Sequence, residues 1–236
     1  MPAKVCFTSV DVEGKGVEAV NQILDTFKKY DIPATLFVTG EALEKYRDLV
    51  KEWSTNYEIA SHSFTHRFWN TLNSEERKVE LDKFCNLYQN IFQKKPLGFR
   101  APSHLIDEEG LKLLEEKGFL YDSSILPHYP PFKKYRGYQG RKPLLPYCPA
   151  GLKILEIPVR GQLFGIPLAG AWILGLPSWL YKLLFLFYCP SFITLNMHSW
   201  DNLNPSFLKK LENILKILKK KNYLFLNGER ILKNRE

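Results

Sequence analysis

Apolar and polar positions along this chain keep switching between two periods. Residues 5–11 (VCFTSVD) carry Val5, Phe7 and Val10 in a short apolar run that predicts a buried strand. Residues 17–30 then set Val17, Val20, Ile23, Leu24 and Phe27 at helical spacing. A second strand is expected over 34–39 (ATLFVT), closed by Gly40, then a helix over 42–53 and a short strand over 57–61. Residues 73–92 predict a long helix, with Ser74 as a candidate cap and Arg77 and Lys78 on its wet face. A strand over 97–101, a helix over 107–117 ended by Gly118, and a strand over 119–123 follow. Strands over 154–159, 192–197 and 223–226 continue the rhythm.

This alternation predicts an α/β fold with parallel strands. Roughly seven strands in one domain fit a barrel better than a small open sheet, and barrels of this kind gather catalytic groups at the C-terminal ends of their strands. Residues 1–236 read as a single domain, with no internal repeat and no low-complexity tract. Residues 127–149, rich in Pro, Tyr, Lys and Arg, read as a long surface excursion. Residues 161–195 carry a single charge, Lys182. The stretch 163–181 is long enough to span a bilayer, but glycines and prolines interrupt it, so loops and a short helix over about 178–188 are expected. Burial as ordinary core is the plainest reading of this segment. An apolar lip for a lipid-linked substrate or a membrane surface is the other.

Composition changes the picture little. Hydrophobic residues make up 45% and charged residues 25%, as in an ordinary globular protein. The aromatic share of 14% is high, which packing explains before a sugar or lipid site does. Much of the net charge of +8 sits in 209–221, an amphipathic helix with a basic face. A solvated face or attraction to anionic lipid accounts for it. No finger or RNP motif points to nucleic acid. Cys6, Cys85, Cys148 and Cys189 are scattered without a C-x-x-C pair, and MPAKVCFTSV enters a strand without a signal-peptide pattern. Reduced thiols and a cytoplasmic location, with membrane association as the alternative, are therefore expected.

Candidate chemistry collects at the strand ends. TSVDVEG closes the first strand with Asp11 and Glu13, which face the same way if extended geometry persists. Unpaired carboxylates are costly to bury, so either a solvated turn or a bound cation accounts for them, and the pair alone favours the turn. HSFTH follows 57–61, and its i, i+4 spacing puts His62 and His66 on one face if a helical turn begins there. Two histidines and a carboxylate, with a position left for water, form a catalytic metal set; two surface histidines explain HxxxH alone. Ser63 stands where a zincin has its glutamate, so any base comes from elsewhere, and DVE offers one acid as ligand and one as base. GFRAPSH sets Arg100 at a strand end, either to orient a carboxylate base or to form a structural ion pair. ITLNMHSWD sets His198 at another, as a general acid or a core histidine. Together these ends carry complementary parts of one metal-dependent hydrolytic site.

These residues resemble the polysaccharide deacetylase family (NodB-homology domain, carbohydrate esterase family 4). TSVDVEG is similar to the D-x-D/E form of its first motif, and HSFTH matches H-[ST]-x-x-H. Arg100-Ala101-Pro102 matches R-x-P, Leu195-Asn196-Met197-His198 matches L-x-x-H, and GFLYDSSILP, with Asp122, resembles the region of the fourth motif. The order is the family's and the likeness runs through to NYLFLNGERIL. Three departures stand out: Val12 separates the two acids, Glu13 takes a place where Asp is common, and Ser103 follows R-A-P in place of glycine. The resemblance implies a distorted (β/α)7 barrel that hydrolyses an N-acyl group, acetyl foremost, from an amino sugar. It implies a divalent metal, Zn²⁺ foremost and Co²⁺ or Ni²⁺ otherwise, held by Glu13, His62 and His66. Asp11 is then the base, oriented by Arg100, and His198 the acid, while Asp122 either tunes His198 or caps a turn. EIPVRGQLFGIPLAG and LPSW resemble a branch linked to exopolysaccharide and lipid-linked glycans. The expected partner is thus an N-acylated glycan or a lipid-linked amino sugar met by peripheral membrane contact, deacylated or deformylated. That likeness also counts against a transmembrane span. A non-catalytic sugar-binding relic is the alternative of another class; its mark is a broken metal set, and this set reads as intact.

Overall fold

In the computed structural model, which describes residues 3–128 and 137–234, nine strands join one sheet. They are β1 Lys4–Val12, β2 Thr35–Val38, β3 Glu58–Ser61, β4 Gly98–Phe99, β5 Tyr121–Asp122, β6 Leu155–Glu156, β7 Leu168–Ala169, β8 Phe192–His198 and β9 Tyr223–Leu226. Around them lie α1 Val20–Lys29, α2 Gly40–Lys45, α3 Arg47–Trp53, α4 Ser74–Phe92, α5 Glu108–Glu116, α6 Gly170–Gly175, α7 Ser178–Phe187, α8 Phe207–Lys220 and α9 Gly228–Lys233. The strand order is β6-β5-β4-β3-β2-β1-β8-β7, with β9 against the first half of β1, and every ladder is parallel. β1 is buried without alternation from Cys6 to Val12, as expected of a parallel strand covered on both faces. Past β6, the Thr194 amide donates to the Arg160 carbonyl at 2.9 Å, so irregular chain draws the two ends of the sheet together. The result is a distorted (β/α)7 barrel of the kind the motifs imply.

Register sets the site. Val12 pairs Val38, Val38 pairs Ser61, Ser61 pairs Phe99, and Phe99 pairs Asp122. On the other side Asp11 pairs His198. The residues one step beyond this line, Glu13, His62, Arg100 and Ser123, therefore leave the sheet at one rim. Beneath them the barrel is filled by Phe7, Phe37 and Tyr121, whose rings meet edge to face at 6.4 Å. The helices seal the outer face of the sheet through a larger apolar layer that includes Ile23, Phe27, Leu211 and Leu215.

Several sequence expectations change. The helix expected over 42–53 is broken at Tyr46 into α2 and α3. Asn73, not Ser74, caps α4: its side chain accepts from the Glu76 amide at 2.9 Å, and Glu76 returns the bond to the Asn73 amide. Lys78 is exposed, but Arg77 is buried, because its guanidinium forks onto Asp107 at 2.7 and 2.9 Å and joins α4 to the capped start of α5. Segment 161–195 forms β7, α6, α7 and the start of β8, and among the described residues no helix is long and apolar enough to cross a membrane. Part of the excursion over 127–149 lies outside the described residues.

Candidate active site

Asp11 and Arg100 form the buried centre of the rim. Arg100 is fully enclosed. Its Nη1 donates to Asp11 Oδ1 at 2.7 Å, Asn196 Oδ1 at 2.7 Å and Ser9 Oγ at 2.9 Å, while Nε and Nη2 donate to the carbonyl and hydroxyl of Ser123. The guanidinium also lies 4.1 Å from the centroid of the Phe37 ring, a cation–π contact with the barrel plug. A buried charge this well partnered is held in one place. Asn196 Nδ2 donates to Asp11 Oδ2 at 3.0 Å, so both carboxylate oxygens are engaged. Burial pushes the Asp11 pKa up, but Arg100, with His62, His198 and His104, more than reverses this and holds it well below the usual carboxylate range.

The metal candidates gather on the neighbouring side. One donor atom from each of Glu13, His62 and His66 lies within 4.8 Å of the others. Glu13 reaches His62 Nε2 at 3.5 Å and His66 Nε2 at 3.1 Å. Burial raises the Glu13 pKa, and the two imidazoles beside it outweigh that and bring it to about 2. His62 Nδ1 lies 2.8 Å from the Arg100 carbonyl, which fixes Nδ1–H as donor and turns the Nε2 lone pair toward Glu13. His66 Nε2 is buried, and among the described residues the Glu13 carboxylate faces it without a well-aligned hydrogen bond. Three lone-pair donors converging on one point is the arrangement a shared divalent cation resolves, and a carboxylate with two imidazoles suits Zn²⁺.

HSFTH reaches this geometry without the helical turn that its spacing suggested. It is a loop in which Ser63 (φ 65°) and His66 (φ 58°) adopt left-handed backbone, uncommon without glycine. Such strain persists only when surroundings enforce it. Here Glu80 of α4 does so, accepting from Ser63 Oγ, Phe64 N, Thr65 N and Thr65 Oγ1 at 2.7–2.9 Å. The amides of Gly40 and Glu41 hold the Ser63 and Phe64 carbonyls from the other side. The third-motif loop repeats the device, with Ser103 (φ 54°) and His104 (φ 60°).

His198 completes the set. Its Nε2 faces Asp11 Oδ2 at 3.9 Å, its Nδ1 faces Asp201 Oδ2 at 3.6 Å, and its ring stacks on Trp200 at 4.7 Å. Burial lowers the His198 pKa, but Asp201, Asp11 and Glu13 together raise it above the ordinary value. Asp201 is itself fixed by the His198 amide at 2.7 Å and by close approach to Gly170, where a Cβ would stand 1.5 Å from Oδ2.

Asp122 is not brought to His198. Its carboxylate accepts from the Ser124 amide and hydroxyl at 3.0 and 2.7 Å, the turn-capping alternative, and the same hydroxyl accepts from the Ala101 amide. β5 thus braces the Arg100 segment, and Asp201 occupies the place beside the histidine. Asp122 and its register partner Glu156 are both fully buried, and burial raises both pKa values, with the Asp122 charge raising Glu156 further. Sequence reading also passed over Asn196, Glu80 and His104. His104 is burdened by desolvation and by Arg100, which bring its pKa to about 3 and keep its imidazole neutral. Beside the metal candidates a cleft of about 310 Å³ opens, lined by Glu13, Gly14, Thr39, Glu41, Tyr46 and His66.

A family model described as polysaccharide deacetylase matches residues 2–121, just over half the chain. This chain belongs to the polysaccharide deacetylase family. Among curated relatives, peptidoglycan deacetylase-like protein FGM2 of Gibberella zeae is 37% identical over 95 residues, 40% of this chain and 28% of FGM2. The chain therefore spans under a third of that relative's length. Among solved structures, the peptidoglycan N-acetylglucosamine deacetylase Bc1960 has a TM-score of 0.67 at 19% identity, with 96% of this chain and 86% of that one covered. BA3943 of Bacillus anthracis, a CE4 family pseudoenzyme, has a TM-score of 0.68 at 18% identity, with 98% and 66% covered. These structural likenesses establish the fold, and one fold here hosts both an enzyme and a pseudoenzyme.

Proposed function

We propose that this protein is a metal-dependent N-deacylase that removes an acyl group, acetyl foremost, from an amino sugar of a glycan. The observation that carries the reading is the convergence of Glu13, His62 and His66 within 4.8 Å, beside the Asp11–Arg100 pair and His198. A divalent ion held by those three side chains, Zn²⁺ foremost, supplies Lewis acidity and a water acidified toward neutral pH. Asp11, kept ionised and aimed by Arg100 and Asn196, accepts the proton of the attacking water. His198, whose pKa Asp201, Asp11 and Glu13 raise against the downward push of burial, delivers a proton to the departing sugar nitrogen, and Asp201 fixes its ring. Asp122 and Ser124 hold the Arg100 segment in place. The products are a carboxylate and a free amine. The relatives named as peptidoglycan deacetylases support the substrate class, and the intact donor set favours catalysis over a sugar-binding relic.

The test combines metal analysis with acetate release from N-acetylglucosamine oligomers. The protein as isolated or zinc-loaded should carry about one ion per chain. Asp11→Asn should keep that ion while turnover falls at least about a hundredfold. A His62→Ala, His66→Ala double variant with full metal load, or an Asp11→Asn variant with full activity, would sink the assignment. A lipid-linked amino sugar is a second reading, favoured by Trp179, Leu183, Leu186 and Phe187 of α7, which stand exposed.

A further inference from the structure

Apart from Ser178 and Lys182, α7 is built of apolar and aromatic residues on all sides. Tyr181, Leu184 and Phe185 are buried against the barrel. The opposite stripe, Trp179, Leu183, Leu186 and Phe187 at i, i+4, i+7 and i+8, stands in solvent, with Trp179 64%, Leu186 69% and Phe187 74% exposed. A helix of this composition is expected to be covered on every side, and a contiguous exposed patch of this kind marks an interaction surface. The patch extends beyond α7. Phe164, 89% exposed, is held outward in a left-handed turn (φ 57°), and Gln162 Nε2 ties that turn to the Tyr188 carbonyl at the end of α7.

We infer that the α6–α7 face docks this protein onto an anionic lipid bilayer. Charge selects this occupant. From residue 157 to residue 200 the sequence has no Asp or Glu, and its only Lys and Arg are Arg160 and Lys182. Lys182 lies within the exposed stripe, three residues after Trp179. In a two-fold dimer built on α7, an isologous contact would bring the two copies of Lys182 toward each other without a carboxylate to pair them. Against a bilayer, the lysine stem lies along the apolar layer and its ammonium meets phosphate. Lys210 of α8 donates to the carbonyls of Leu174 and Leu176 at the α6–α7 junction, and Lys209, Lys216 and Lys220 continue round the exposed side of that helix. A cationic flank thus adjoins the apolar stripe, with tryptophans on the stripe and on α6, the pattern of an interfacial helix.

The docked face also reaches the site. α6 starts at Gly170, against the Asp201 carboxylate that holds His198, and Trp172 is exposed two residues later. Docking would bring the catalytic rim close to the headgroup layer, where a lipid-linked amino sugar presents its head. Binding is measured without turnover, so its failure and the failure of the deacylase reading are separate results.

The experiment is vesicle flotation of the full chain, using phosphatidylcholine vesicles with and without about 30% phosphatidylglycerol. The wild type should float with the anionic vesicles, at least about tenfold more weakly with phosphatidylcholine alone, and less in high salt. Leu186→Glu with Phe187→Glu should reduce binding at least about tenfold while the thermal melt stays unchanged, since both side chains are already in water. Trp179→Phe isolates the emission of Trp179, which should shift to the blue on anionic vesicles and report insertion whether or not the double variant folds. The inference is overturned by no flotation, by equal flotation of wild type and a folded double variant, by a Trp179 emission that does not move, or by a lipid-excluding dimer that the double variant dissociates.

Discussion

Glu80 offers the sharpest test of how the metal candidates are held, because it touches neither metal nor substrate. Its carboxylate accepts four hydrogen bonds from the HSFTH loop, two of them from the backbone amides of Phe64 and Thr65. Hydrogen bonds to a charged group contribute about 1.5–3 kcal/mol each. The two hydroxyls can rotate to other partners, so the two amides set the scale at about 3–6 kcal/mol. Water entering the vacated volume offsets part of this, and Glu80→Ala is expected to cost the metal-free protein about 2–4 kcal/mol in urea unfolding. The left-handed conformations at Ser63 and His66 then lose their anchor, and zinc affinity by calorimetry should fall about 10–100-fold. Acid narrows the difference. Burial raises the Glu80 pKa, but the Thr65, Ser63 and Phe64 donors outweigh it and hold it below the ordinary 4.5. A depressed carboxylate pKa gives stability that is present above the unfolded value and lost as pH falls through the folded one. Wild type and Glu80→Gln, the uncharged isostere, should therefore converge as pH falls below the ordinary 4.5 and through the lower folded value. Metal-free stability within about 0.5 kcal/mol of wild type at neutral pH, together with unchanged zinc affinity, would refute the reasoning.

Two further outcomes concern the proposed acid. Asp201→Asn removes the group that contributes most to raising His198 against the downward push of burial, so the acid loses its proton sooner and the alkaline limb of the rate profile should move to lower pH; a limb that stays in place removes Asp201 from this role. Gly170→Ala forces a methyl into the Asp201 carboxylate, which should cost about 1–3 kcal/mol in thermal unfolding and shift the same limb in the same direction. An unperturbed melt and profile would mean that the α6 start does not position Asp201.

Much of the architecture was legible because it is local. The apolar run of β1, the helical spacing of Val20, Ile23, Leu24 and Phe27, and the recurrence of such pairs are properties of neighbouring residues, and they predict parallel strands and helices without reference to anything distant. The chemistry-bearing strand ends were legible for a related reason. Asp11, Glu13, His62, Arg100 and His198 each follow or close an apolar strand, and parallel strands in register deliver such ends to one rim. Helix ends were less legible: Asn73 and Ser74 are both good caps, and only the reciprocal bond with Glu76 distinguishes them.

By itself, then, the sequence determined the alternation, the residue types at the rim and the apolar character of 161–195. Tertiary structure alone decided the partnerships. Asn196 meets Asp11 across 185 positions of chain, and Glu80 meets HSFTH from the buried side of a helix. Asp201, not Asp122, lies beside His198, because β5 sits across the sheet under Arg100 while Asp201 folds back from the turn after β8. Likewise the composition of α7 is plain in the sequence, but which of its faces the barrel leaves uncovered is not. Periodicity follows from backbone geometry within a few residues; a hydrogen-bond partner or a bare face follows from which distant segments the register of the sheet brings together.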